Sequence, residues 1–250
     1  MISLKDIKER ILFEDDSLII LNKPAGISVA GGNSAETHLL GILQKLKKSD
    51  LFLCHRIDKE TTGCLVFAKD KEIFKKVYSQ FSNHKVNKVY QALLTGVYPE
   101  RPKIIELSLR ETSTKTLIDK EGKFAHTEII PLFSFGQHFT LCACKPLTGR
   151  RHQIRIHAAH DGHPLAGDEL YGGKPVFLSH YDKKFNLGKF EEEKPISGNG
   201  FLLHAHTIEF LHPETGEHFS VNAPLPKQFN ACLTQLEKKI GKRAYPKFEN

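Results

Sequence analysis

Residues 55–63, His55-Arg56-Ile57-Asp58-Lys59-Glu60-Thr61-Thr62-Gly63, run directly into Cys64-Leu65-Val66-Phe67-Ala68. A dense polar stretch thus feeds an unbroken apolar run, which has no polar face to turn to water. Such a run reads as a buried strand. A strand held in a sheet would fix the loop before it, and Asp58 with it, as firmly as a catalytic group requires. Taken alone, the same stretch also reads as an exposed charged turn.

A second stretch, residues 146–164, concentrates Arg150, Arg151, His152 and Arg155. A helix is expected from about 151 to 161, stopping at Gly162. On it Arg151 and Arg155, four apart, share one face, while Ile154 and Ala158 share another that can pack inward. An arginine fixed there can meet a carboxylate from elsewhere by a two-pronged contact. A solvated basic helix face is the plainer reading of the same residues.

Apolar spacing predicts further helices over 36–48, from an Asp70 N-cap through Phe81, and over 227–240. Strands are expected at 88–96, 124–131, 138–145, 201–210 and 218–222, with Tyr90, Ala92 and Leu94 on one face of the first. Pro24 and Gly26 force a turn after Lys23. Residues 1–10 read as a polar extension, 174–198 as a mobile surface insertion and 241–250 as a tail. No linker divides residues 11–240, so the expectation is one α+β domain with a mixed, largely antiparallel sheet flanked by helices.

The chain has 36 Lys plus Arg against 29 Asp plus Glu, a formal charge of +7 that favours an anionic partner. No apolar run approaches the ~18 residues of a membrane helix, and the N-terminus lacks the apolar core of a signal peptide. Five cysteines without framework spacing point to a reducing compartment, the cytoplasm. Cys142 and Cys144 alternate along a strand and read as core. His152, His157, His160 and His163 lack the spacing and carboxylates of a zinc motif, so no metal site is expected.

Asn22-Lys23-Pro24-Ala25-Gly26, the 55–63 stretch, Lys88-Val89-Tyr90-Gln91-Ala92-Leu93-Leu94-Thr95-Gly96, the 146–157 stretch and the Gly162–Gly172 run follow one another in an order that resembles the RluA type of pseudouridine synthase. Residues 201–213 resemble the family's late motif, and the likeness covers roughly 11–235. Ile57 and Thr62 stand where that family usually has Leu and Ser, changes that keep shape and hydroxyl chemistry. The resemblance implies an enzyme that turns uridines of structured ribosomal or transfer RNA into pseudouridine. It implies Asp58 as the essential carboxylate, Tyr90 stacking on the target base and Arg155 pairing with the aspartate. Arg56 would fill the gap left by a flipped nucleotide. His55, Lys23, Lys88, Arg150 and Arg151 are further candidates for RNA contact, and Lys69, Lys75, Lys76 and Lys85 for phosphates. The separate S4 RNA-binding module of some relatives is not expected. Neither a cofactor nor an obligate protein partner is expected, and the chain is expected to work as a monomer. The rival reading is an RNA-binding protein on the same fold without catalysis.

Overall fold

The computed structural model describes residues 4–31, 38–182, 185–186 and 192–246. In chain order the elements are α1 (Leu4–Lys8), β1 (Ile11–Glu14), β2 (Leu18–Lys23), α2 (Leu39–Lys47), β3 (Phe52–Leu53), β4 (Thr62–Ala68), α3 (Lys71–Ser82) and β5 (Asn87–Thr95). There follow β6 (Lys103–Glu111), β7 (Thr116–Ile118), β8 (Lys123–Phe135), β9 (Phe139–Pro146), α4 (Gln153–His160), β10 (Leu203–Leu211), β11 (His218–Asn222), α5 (Lys227–Ile240) and β12 (Arg243–Ala244). Contacts gather them into two compact units, Met1–Val89 with His204–Pro224, and Tyr90–Leu203 with Leu225–Asn250. One domain is what the missing linker suggests. The chain passes between units inside β5, at the start of β10 and after Pro224, between β11 and α5; the first two crossings lie in strands, where no loop composition marks them.

In the first unit β2 lies antiparallel to β1 and to β4, and β4 runs parallel to β10, which carries β11 antiparallel. Every residue of β4 is buried, which is why its apolar run is unbroken. Leu18, Ile20, Val66, Ala68, Ile208 and Phe210 form the core with Ile73 and Val77 of α3. The Asp70 carboxylate accepts the amides of Glu72 and Ile73, so the expected cap starts α3. Within the stretch 1–10 the described residues begin with α1. α1 buries Ile7 completely while Leu4 stays exposed, so composition alone does not reveal the anchor. The expected helix over 36–48 is seen as α2, while 36 and 37 lie outside the described residues.

The second unit is an antiparallel sheet in the order β5-β9-β8-β6-β7. Ala92, Leu94, Cys142, Cys144 and Ile129 make one core with Ile154 and Ala158 of α4. Leu93 and Leu141 face the other way and pack in a cluster with Phe229, Cys232 and Leu236 of α5. The register of β8 shifts between Pro131 and Phe133, where proline has no amide to give the ladder. The ends of the stretch 174–198 are anchored rather than loose. Val176 is buried in the α5 core, its amide bonds the Ser197 hydroxyl, and its carbonyl accepts the Ile196 amide. Residues 183–184 and 187–191 of that stretch lie outside the described residues.

All five cysteines are buried and outside any disulfide, and burial pushes the thiols of Cys54, Cys64, Cys144 and Cys232 up to about 12. They stay protonated and behave as small apolar side chains. Among the described residues no helix is long and apolar enough to cross a membrane, and no group of three or more potential metal ligands occurs.

Candidate active site

The loop that carries Asp58 is tied down at both ends. At its start His55 Nε2 accepts the Val66 amide at 3.2 Å, and the ring stacks on Phe81 with centroids 4.6 Å apart. Burial, with Lys88 adding to it, drives the His55 pKa down to about 3, so the ring stays neutral. His55 thus serves as a latch between loop and strand. Ile57 points inward and is buried, Arg56 is exposed, and Asp58 is half-buried. The Asp58 carbonyl accepts the Thr61 amide, closing a tight turn.

Lys23 holds the middle of the loop. Its side chain is fully buried, and Nζ donates to the Pro24 carbonyl at 2.8 Å and the Lys59 carbonyl at 2.7 Å. The Gly26 amide reaches the same Lys59 carbonyl at 3.0 Å. The turn after Lys23 therefore grips the residue that follows Asp58. Burial lowers the Lys23 pKa to about 7, opposed by the Glu60 and Asp58 carboxylates. A side chain so enclosed acts on the loop itself.

At its far end the loop enters β4 through Thr62 and Gly63. Thr62 Oγ1 lies 2.8 Å from Nδ1 of His204, whose Nε2 lies 3.1 Å from the Ala223 carbonyl. The carbonyl can only accept, so Nε2 carries the proton and the threonine hydroxyl donates to Nδ1. Burial is the main cause that lowers the His204 pKa to about 4. Gly63 has φ +107°, and a Cβ there would sit 2.2 Å from the Ala205 carbonyl oxygen. Only glycine allows β10 to lie this close.

In the second unit Tyr90 stands half-buried on β5, opposite Cys144 and packed against the α4 core. It shares a face with Ala92 and Leu94, as its position along the strand predicts. Arg155 lies on α4 and is 6% exposed. Nε donates to Asp168 Oδ2 at 2.7 Å and Nη2 to Oδ1 at 2.8 Å. The guanidinium also lies over Phe201, 4.2 Å from its centroid, and over Tyr171 at 5.0 Å.

Arg150 and Arg151 turn inward to main-chain carbonyls. Arg150 Nε donates to Phe124, and Arg151 to Thr112 and Thr114. They brace the approach to α4, and Arg151 does not share a helix face with Arg155 because α4 starts two residues later. Buried Gln153 meets all its hydrogen bonds, accepting from Thr148 and Arg150 and donating to His126 and Thr127. His157 is fully buried, and burial lowers its pKa to about 4, the state of a core histidine. Lys88 is half-buried, with its pKa lowered to about 8 by burial. Lys69, Lys75 and Lys76 pair with Glu14, Glu72 and Glu214 at the surface, and Lys85 is exposed.

Sequence reasoning did not single out Asp168, His204 or Gln153. Asp168 lies in the Gly162–Gly172 run directly after Gly167, and its place inside that motif was the available signal. His204 lies in an alternating strand, where a histidine on the buried face asks for a partner.

Residues 17–160 match the family described as RNA pseudouridylate synthase, a span that includes Asp58, Tyr90 and Arg155. The chain is 35% identical over 243 residues to a ribosomal large subunit pseudouridine synthase C of Buchnera aphidicola subsp. Schizaphis graminum, covering 93% of this chain and 72% of that one. It is 35% identical over 240 residues to the protein of the same description from Haemophilus influenzae, covering 92% and 69%. Among solved structures it is similar to human RNA pseudouridylate synthase domain containing 4, with a TM-score of 0.71 and 25% identity over 94% of this chain and 95% of that one.

Proposed function

This chain belongs to the RNA pseudouridylate synthase family and is an RNA pseudouridine synthase, and from that premise we propose that Asp58 is its catalytic carboxylate and large-subunit ribosomal RNA its substrate. The observation that carries the first part is the way the Asp58 loop is fixed. Lys23 grips it one residue beyond Asp58, and the Thr62–His204 bond locks its exit into buried β4. A carboxylate on so constrained a turn meets the requirement for a preorganised reacting group. The substrate reading is supported by the relatives, which are described as ribosomal large subunit enzymes.

The reaction breaks the bond from uracil N1 to ribose C1′ and forms one from C5 to C1′. Electrons balance within the nucleotide, and the C5 proton is lost as N1 gains one. The target nucleotide leaves its stack at a cost of a few kcal/mol. Stacking on Tyr90 offsets roughly 1–3 kcal/mol of that, and exposed Arg56 fills the gap. Asp58 then attacks C1′, or removes the C2′ proton to give a glycal; both courses release the uracil, which rotates and rebonds through C5. Arg155 supplies a fixed positive charge to the reaction, as the family resemblance implies. We place the work in the cytoplasm, consistent with five cysteines that form no disulfide.

The test is Asp58→Asn. Pseudouridine formation in ribosomal RNA from cells lacking this protein should vanish while RNA binding persists. Substantial turnover by the variant refutes the assignment. Mapping pseudouridines in total RNA with and without the protein names the uridine, and a site lost only from transfer RNA overturns the substrate.

A further inference from the structure

We propose that Asp168 is a positioning residue for catalysis, holding the Arg155 guanidinium in one orientation within a cage completed by Phe201 and Tyr171. The proposal rests on the part given to Arg155 above. Its basis is the geometry around that one side chain. The Asp168 fork engages Nε and Nη2, so rotation about the last bonds of Arg155 would break two charged hydrogen bonds at once. Asp168 is 1% exposed and Arg155 6%, so water cannot replace those bonds. The Phe201 and Tyr171 rings lie against the guanidinium and restrict its tilt.

Asp168 is itself held by its backbone. Its amide donates to the Leu165 carbonyl at 3.0 Å, and its carbonyl accepts the Tyr171 amide at 3.1 Å and the Gly173 amide at 2.8 Å. Gly167, at φ +84°, passes so close to Gly200 that a Cβ would lie 2.2 Å from the Gly200 oxygen. Tyr171 is anchored in turn, its phenol oxygen 2.9 Å from the Thr116 amide and 2.9 Å from His152 Nδ1.

A buried ion pair is a poor route to stability, because apolar side chains of similar volume stabilise as well or better. A pair that is buried, two-pronged and braced by two rings is instead well suited to fixing a charge in space.

The test compares Asp168→Asn, Arg155→Met and the double variant of the full chain, using ribosomal RNA from cells lacking this protein. Single-turnover rate, RNA affinity and thermal midpoint are read together. Asp168→Asn keeps the shape and removes the charge. Its single-turnover rate should fall about 10- to 100-fold, the range that misplacement of a reacting group produces, with RNA affinity unchanged. In the Arg155→Met background the same change should have no further effect on rate. Asp168→Asn at the wild-type rate beside an inactive Arg155→Met overturns the positioning role alone. A further loss in the double variant also overturns it. Arg155→Met at the wild-type rate overturns both the role of Arg155 and the inference built on it. Should Asp168→Asn not fold, Phe201→Leu carries the same comparison, with a rate loss expected only where Arg155 is present.

Discussion

Thr62 and His204, 142 residues apart in the chain, are joined by a hydrogen bond of 2.8 Å from the threonine hydroxyl to the imidazole. This bond fixes the point where the Asp58 loop becomes strand. The imidazole passes the constraint on to the Ala223 carbonyl. His204→Ala removes the bond to the Thr62 hydroxyl and the bond to the Ala223 carbonyl, and a buried group left unsatisfied costs about 1–3 kcal/mol. Urea unfolding should show a clear fall in midpoint, and turnover should fall with it because the loop loses its exit anchor.

Acid should expose the same histidine. His204 and His157 have folded pKa values of about 4, and His55 of about 3, against 6.5 when free. Below pH 6.5 the unfolded chain binds protons that the folded chain refuses, so stability falls as pH drops from 6.5 through about 4. Urea midpoints at pH 7 and pH 5 check this, and His204→Ala should flatten the dependence.

Lys23 gives a pH dependence at the other end. Its folded pKa is about 7 against 10.5 in the unfolded chain. Between those values the unfolded chain holds a proton that the folded chain has released, so this residue makes folding more favourable as pH rises from 7 to 10.5. Lys88, at about 8, adds in the upper part of that window. Lys23→Met should reduce the slope of urea midpoint against pH and lower turnover through the loosened loop.

Gly63→Ala should be far more damaging than Gly26→Ala. Both glycines have positive φ, but a Cβ at Gly63 meets the Ala205 backbone while one at Gly26 meets nothing within 4 Å. Gly26→Ala costs only the conformational strain, about 1–2 kcal/mol. Gly63→Ala must also push β10 away from β4. Thermal melts of the two variants should separate by several degrees, with Gly63→Ala lower or insoluble.

Tyr90→Phe should bind RNA as the parent does, because the ring face survives. Tyr90→Ala should weaken binding by the ~1–3 kcal/mol of one stacked base. Equal loss in both variants counts against stacking. A Tyr90→Phe variant that binds but does not turn over assigns the phenol oxygen to the chemistry, at the C5 proton.

Much of this arrangement was legible in the sequence because its signals are local. The apolar run at 64–68 announced buried β4, Asp70 announced the start of α3, and the spacing at 227–240 matched α5. Tyr90 could be assigned a face because strand geometry alone settles it. What could not be read depends on partners distant in sequence. Nothing near Thr62 points to His204, and nothing near Arg155 announces that its fork partner is Asp168. Arg150 and Arg151 look like surface cations until the carbonyls of Phe124, Thr112 and Thr114 are brought beside them. The hairpin of β6 and β7 was missed because Ile104 and Ile118 face solvent and blur the alternation.

The parallel pairing of β10 with β4 also sets an order of events during synthesis. The residues that complete the edge of β4 at Thr62 and Gly63 are His204 and Ala205, and the ribosome delivers them only after residues 90–203 have emerged. Until then a nascent chain displays the HRID loop on a strand with an unfilled edge, open to wrong partners. A product halted before His204 would carry the whole 55–63 motif yet lack the bond that seats it, and would have no activity. Competence arrives only when the late strand does.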